Sequence, residues 1–163
     1  MRNVMLRAAA LVGLALALLS TPTAADEQAD RDAAIAAATK KAEHWLEAMD
    51  EHRYAEGWNE SAAVVKTGRT EQSWIQEIGG PREALGKPLM REFKRAQFSN
   101  RVRGAPEGSY VTAVYLTKFT NIPPANEVVL LDLEDGEWRV GGYSIEDADP
   151  PDTGSTPQPK PKE

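Results

Sequence analysis

The stretch LEDGEWRVGGYSI (Leu133–Ile145) decides how the chain is read. Asp135-Gly136 falls between two runs that alternate apolar and polar residues. A two-residue Asp-Gly link takes positive φ angles, which aspartate tolerates and glycine prefers, so it marks a tight antiparallel hairpin. Strands are therefore expected on either side of it, over Asn126–Glu134 and Glu137–Ile145. The earlier stretch GAPEGSYVTAVYLTKF (Gly104–Phe119) has the same character, a strand entered from a tight turn. Two more strands are expected there, over Arg91–Val102 and Ser109–Asn121. The links RGAPEG, IPPA and Asp135-Gly136 are all too short for parallel crossovers, so the four strands form an antiparallel meander.

Helices precede the sheet. Ile35, Ala38, Ala42, Trp45, Leu46 and Met49 recur at spacings of three and four, one apolar stripe on a helix from Asp26 to about Glu51. A second helix is expected from Tyr54, carrying Trp58, Ala62 and Val65 on one face. Its end, AAVVKTGRT, reads equally well as a short extended hairpin. Thr70 is placed to cap a third helix with Trp74, Ile75 and Ile78 inward. Gly79-Gly80-Pro81 is expected to break or kink that helix, and Gly86 to end the last one. Helices first and strands afterwards give the α+β class, with helices packed on one face of a curved four-stranded sheet.

Strand two is apolar on both faces. Val111, Ala113, Tyr115, Thr117 and Phe119 lie on one; Tyr110, Thr112, Val114, Leu116 and Lys118 lie on the other. Such a sheet needs two covers. The helices supply one, and a second subunit or the wall of a pocket supplies the other.

The N-terminus has its own logic. Arg2 and Arg7 precede an apolar run from Ala8 to Leu19, and Thr23 and Ala25 are small residues at the spacing of a signal-peptidase site. Residues 1–25 are expected to be a signal peptide, 26–146 a single domain, and 147–163, with five prolines, a disordered tail. The expected location is periplasmic or secreted. Without cysteine there is no disulfide, thiolate metal site or lipoprotein anchor. Loss of the two leader arginines takes the formal charge from −6 to −8, which argues against nucleic acid or anionic lipid as partners.

His44 and His52 stand two helical turns apart, too far to hold one ion alone, and no metal or cofactor is expected. No serine sits in a nucleophile elbow, and Gly141-Gly142 opens no helix, so it reads as a bulge and not a phosphate loop. Asp50, Asp132 and Glu92 are the carboxylates weighed as a base, with Tyr54, Tyr115 and Tyr143 as donors. The four tryptophans, Trp45, Trp58, Trp74 and Trp138, fall on apolar stripes and read as core. The basic band Arg91, Lys94, Arg95, Arg101 and Arg103 is expected to pair with Asp132 and Glu134 across strands and to protect the sheet edge, the alternative being contact with an anionic partner.

Beyond these patterns, AEHWLEAMDEHRYAEGWNESA, QSWIQEI, REALGK, GAPEGSYVTAVYLTKF and NEVVLLDLEDGEWRVGGYSI together resemble the bacterial family known as domain of unknown function 4019. The resemblance runs from about Ala42 to Ile145. It implies a cone-shaped α+β fold of the nuclear transport factor 2-like superfamily, often with a pocket, and it implies no activity. In that family the segment at Gly79-Gly80-Pro81 usually runs on as one helix.

The functional expectation is a non-catalytic binding or interaction module, homodimeric through the sheet. It would take a protein partner or a small apolar ligand in a cavity walled by Tyr54, Trp58, Trp74, Tyr115, Arg139 and Tyr143. The alternative is a small cofactor-free isomerase, lyase or hydrolase with a carboxylate base in that cavity.

Overall fold

Asp135 and Gly136 adopt φ angles of 51° and 82°, the left-handed pair that a two-residue hairpin requires. The computed structural model describes residues 23–148. In it this turn joins β3 (Ala125–Glu134) to β4 (Glu137–Asp147). With β1 (Pro88–Ser99) and β2 (Tyr110–Phe119) they form one four-stranded sheet in the order β1-β2-β3-β4, every pair antiparallel. The meander follows from link length: no connection is long enough to cross the sheet. β1 begins at Pro88 and ends at Ser99, upstream of the expected Arg91–Val102. Proline is tolerated at the first residue of an edge strand because its missing N–H need serve no ladder there. Gly141 is the extra residue of a bulge, since Leu130 pairs with Gly142 and Leu131 with Val140.

Helix α1 (Ala24–Asp50) starts at a capping box between Thr23 and Asp26. The expected leader falls outside the described residues except for Thr23, Ala24 and Ala25, and the expected tail except for Asp147 and Ala148. Among the described residues no helix is long and apolar enough to cross a membrane. The stripe Ala38, Ala42, Trp45, Leu46 and Met49 is buried, against Val111, Ala113, Tyr115, Val129, Leu131 and Val140 of the sheet. Helix α2 (Tyr54–Asn59) turns back on α1 through Gly57. A Cβ there would lie 2.1 Å from Met49 Cε and 3.2 Å from Trp45 Nε1, whose N–H donates to Gly57 O at 3.1 Å.

After α2 the chain touches the sheet edge. Val140 N–H donates to Glu60 O at 3.1 Å, and Ala62 N–H donates to Val140 O at 2.9 Å, a short parallel bridge. A single helical turn follows, α3 (Ala63–Lys66), in place of an extended hairpin. Thr70 caps α4 (Glu71–Leu85) as expected. That helix runs unbroken through Pro81, correcting the expected break. Proline's ring clashes with the backbone N–H and the Cβ of its predecessor, and Gly80, with no Cβ, removes the second of these clashes. Gly86, at φ 78°, ends the helix.

Candidate functional site

Six elements each send one polar side chain to a common point under the helices. These are Asp50 at the end of α1, Arg82 on α4, Arg91 on β1, Thr117 on β2, Glu127 on β3 and Tyr143 on β4. Glu127 is the centre, with no exposed surface. Its Oε1 accepts from Arg82 Nη1 and Tyr143 Oη, both at 2.8 Å. Its Oε2 accepts from Arg91 Nε at 2.7 Å and Thr117 Oγ1 at 2.5 Å. Asp50 receives the remaining charge: Arg91 Nη1 donates to its Oδ2 at 2.7 Å, and Arg91 Nη2 and Arg82 Nη2 donate to its Oδ1. Two guanidiniums meet two carboxylates, so the cluster is neutral as a whole.

Burial pushes the Glu127 carboxyl upward, but Arg91, Thr117 and Arg82 together outweigh it and hold the group below the usual carboxylate range. Burial, with Glu127 beside it, pushes the Tyr143 phenol up. Each Glu127 oxygen accepts two hydrogen bonds, which fills the roughly four lone-pair sites of a carboxylate. No lone pair is left to take a substrate proton. The cluster is chemically saturated, and its geometry is that of a fastener between helices and sheet.

Beside it lies a different kind of space. A half-open groove of ≈ 500 Å³ separates α4 from β4. Trp74, Ile78, Pro81 and Leu85 form the helical wall, Trp45 and Val140 contribute from the core, and Arg69 and Glu77 pair at the rim. The other wall is five consecutive residues, Gly141 to Ile145. Along a strand, neighbouring side chains point to opposite faces, so a groove that meets five in a row is meeting the strand's edge as well as its face. Beyond Val140, no backbone segment among the described residues pairs with that edge.

Of the six cavity residues expected from sequence, the structure brings Trp74 and Tyr143 to this groove. Trp58 packs behind Trp74, ring centroids 5.8 Å apart. Tyr54 lines a separate ≈ 230 Å³ recess with Asp50 and His52. Tyr115 is buried against Phe93 and donates to Thr39 O. Arg139 is engaged by Glu137 and the Asn59 carbonyl. Trp45 and Trp74 are buried in the core, with Trp58 and Trp138 half-buried against it.

The carboxylates also sort differently. Asp50 belongs to the saturated cluster; Glu92 is exposed beside Lys94. Partial burial and the nearby Glu134 push the Asp132 carboxyl up. Arg91 does not pair with Asp132 or Glu134, because the register sets it level with Thr117 and Ala125, whereas Asp132 lies level with Tyr110 and Ser99 at the other end of the sheet; it meets Asp50 and Glu127 instead. Sequence reasoning missed Arg82 and Glu127. The available signal was phase: Glu127 alternates with Val129 and Leu131 on the buried face of β3.

These features define an α+β domain in which four helices precede a four-stranded antiparallel meander, with a locked charge cluster at one end and an open groove along one edge. The chain belongs to the family described as protein of unknown function (DUF4019), whose profile matches residues 41–143. No curated protein matches the chain.

Proposed function

We propose that the protein is an exported, non-catalytic binding module whose site is the groove between α4 and β4. The observation that carries this reading is the unpaired edge from Gly141 to Ile145, set opposite an apolar helical wall. The bridge at Val140 supports an extended ligand: residues Glu60 to Ala62 already use the upper part of the edge, and the groove continues from the point where α3 turns away. An extended segment of a partner protein with alternating apolar side chains would bond to the edge and fill the space beside Ile78 and Leu85. A small apolar ligand fits the same walls. Export is supported by the basic, apolar and small-residue sequence of the first 25 residues.

Native mass spectrometry of the chain purified gently from the periplasm tests the proposal. The expected result is an adduct that leaves on denaturation and is lost in Ile78→Arg, its mass separating peptide from small ligand. A clean chain, or an adduct retained by Ile78→Arg, would sink the groove assignment.

A second reading, a cofactor-free isomerase, lyase or hydrolase, draws on the 2.8 Å contact between Glu127 and Tyr143. The four bonds to Glu127 stand against a base at that position. We also propose that a second copy of the chain covers the outer face of the sheet, near the exposed Leu89 and Met90. Light scattering after size exclusion would report a dimer, or a monomer if this is wrong.

A further inference from the structure

On the other side of α2, the fold brings a histidine and two glutamates together. Glu56 and Glu60 lie four residues apart, on α2 and at its C-cap, so they share a face. His44 meets them from α1. Its Nε2 lies 3.3 Å from Glu56 Oε1 and 3.3 Å from Glu60 Oε1. One ligand atom from each of the three falls within 4.8 Å of the others. A tetrahedral zinc ion with bonds of roughly 2.0–2.1 Å places its nitrogen and oxygen ligands roughly 3.3 Å apart. The two closest separations here match that edge.

Three further observations mark the cluster as more than a surface ion pair. Glu60 Oε2 is buried and has no hydrogen-bond partner among the described residues, so that oxygen is short of a donor or a cation. The backbone beneath it is fixed, because Glu60 O accepts from Val140 N–H and Gly57 O accepts from Trp45 Nε1–H. Arg53 grips Glu56 through Oε2, leaving Oε1 turned to His44. Such outer contacts orient ligands before a metal arrives.

We infer that His44, Glu56 and Glu60 form a binding site for a divalent transition-metal ion of the zinc class, with water completing its coordination. One imidazole and two carboxylates are a donor set that suits such an ion. Lys41 Nζ lies 2.7 Å from Glu60 Oε1, so its ammonium and the metal compete for the same oxygen. That competition separates a metal site from an ion-pair cluster, since removing Lys41 would strengthen the first and only weaken the second. His52, beside Tyr54, takes no part. The inference is independent of the groove.

Isothermal titration of zinc chloride into the untagged full chain near neutral pH is the test. A single saturable ion per chain is expected. His44→Ala and Glu60→Gln each remove a ligand and should weaken binding by about a hundredfold or more, beyond the roughly tenfold to hundredfold that loss of an outer contact costs. Lys41→Met should bind several-fold more tightly, and His52→Ala should match the parent. Circular dichroism melts of each variant check that the fold persists; His44 is half exposed, so its loss leaves the core intact. No saturable binding by the parent, or equal binding by parent and His44→Ala, would overturn the site. So would a Lys41→Met variant that binds no more tightly.

Discussion

The cluster around Glu127 and the groove beside β4 share Arg82 and Tyr143 as a common wall, yet they are opposite in chemistry. In the first, every oxygen of Glu127 is bonded twice and charges cancel within a few ångströms. In the second, a run of strand edge faces an apolar helix wall across the groove, and no segment among the described residues pairs with that edge. The difference teaches how to read buried polarity. A buried carboxylate beside a tyrosine invites a catalytic interpretation, but two arginines and a threonine convert it into scaffold. The proposed binding site lies instead where hydrogen-bond groups of a strand edge are left unused.

The largest test of this contrast is removal of the central carboxylate. Glu127→Ala leaves two largely buried guanidiniums sharing Asp50 as their one remaining carboxylate and should cost about 3–5 kcal/mol, seen as a lower urea midpoint. A loss below about 1 kcal/mol, the range of an exposed pair, would break the claim that the cluster fastens the fold. Gly86→Ala should come next. Its φ of 78° disfavours a side chain, and a Cβ would lie 2.0 Å from Thr120 Oγ1. The expected cost is about 2 kcal/mol, within the range for strained backbone positions. A thermal melt checks it, and an unchanged melting temperature would mean that the link from α4 to β1 is looser than described.

On the groove side, effects on stability should be smaller. Ile78→Ser removes apolar surface from a half-buried wall and should cost about 1 kcal/mol, measured by urea denaturation. A cost rivalling that of Glu127→Ala would mean the groove is packed core and would erase the comparison. The smallest effect is in pH. The folded Glu127 carboxyl is held below the ordinary glutamate value, so its stabilising contribution is complete above that ordinary value. It is lost as pH falls through the depressed folded value. Denaturation midpoints should therefore drop on acidification below about pH 4, and Glu127→Gln should flatten that slope. The raised Tyr143 phenol adds the mirror effect, with stability full below pH 10 and declining as pH rises beyond it.

Much of the architecture was legible because it rests on local signals. Asp135-Gly136 announced its hairpin, the spacing from Ala38 to Met49 announced a buried helix face, and Thr70 announced a cap. Pro81 misled because proline's usual effect was read without the relief provided by Gly80. The site was harder to see, since it depends on where distant elements meet. Arg82 and Glu127 are 45 residues apart, and nothing local pairs them. His44, Glu56 and Glu60 meet only after α2 folds back over Gly57. Glu127 alone left a trace, as an acid in step with Val129 and Leu131.

The most direct test of the account is a ¹³C nuclear magnetic resonance titration of the Glu127 side-chain carboxyl in the intact chain. If the cluster is scaffold, that carboxyl stays ionised through neutral pH, with a midpoint below the ordinary glutamate value. A midpoint raised toward neutrality would reveal a carboxylate able to trade protons, and would return Glu127 and Tyr143 to the role of a catalytic pair.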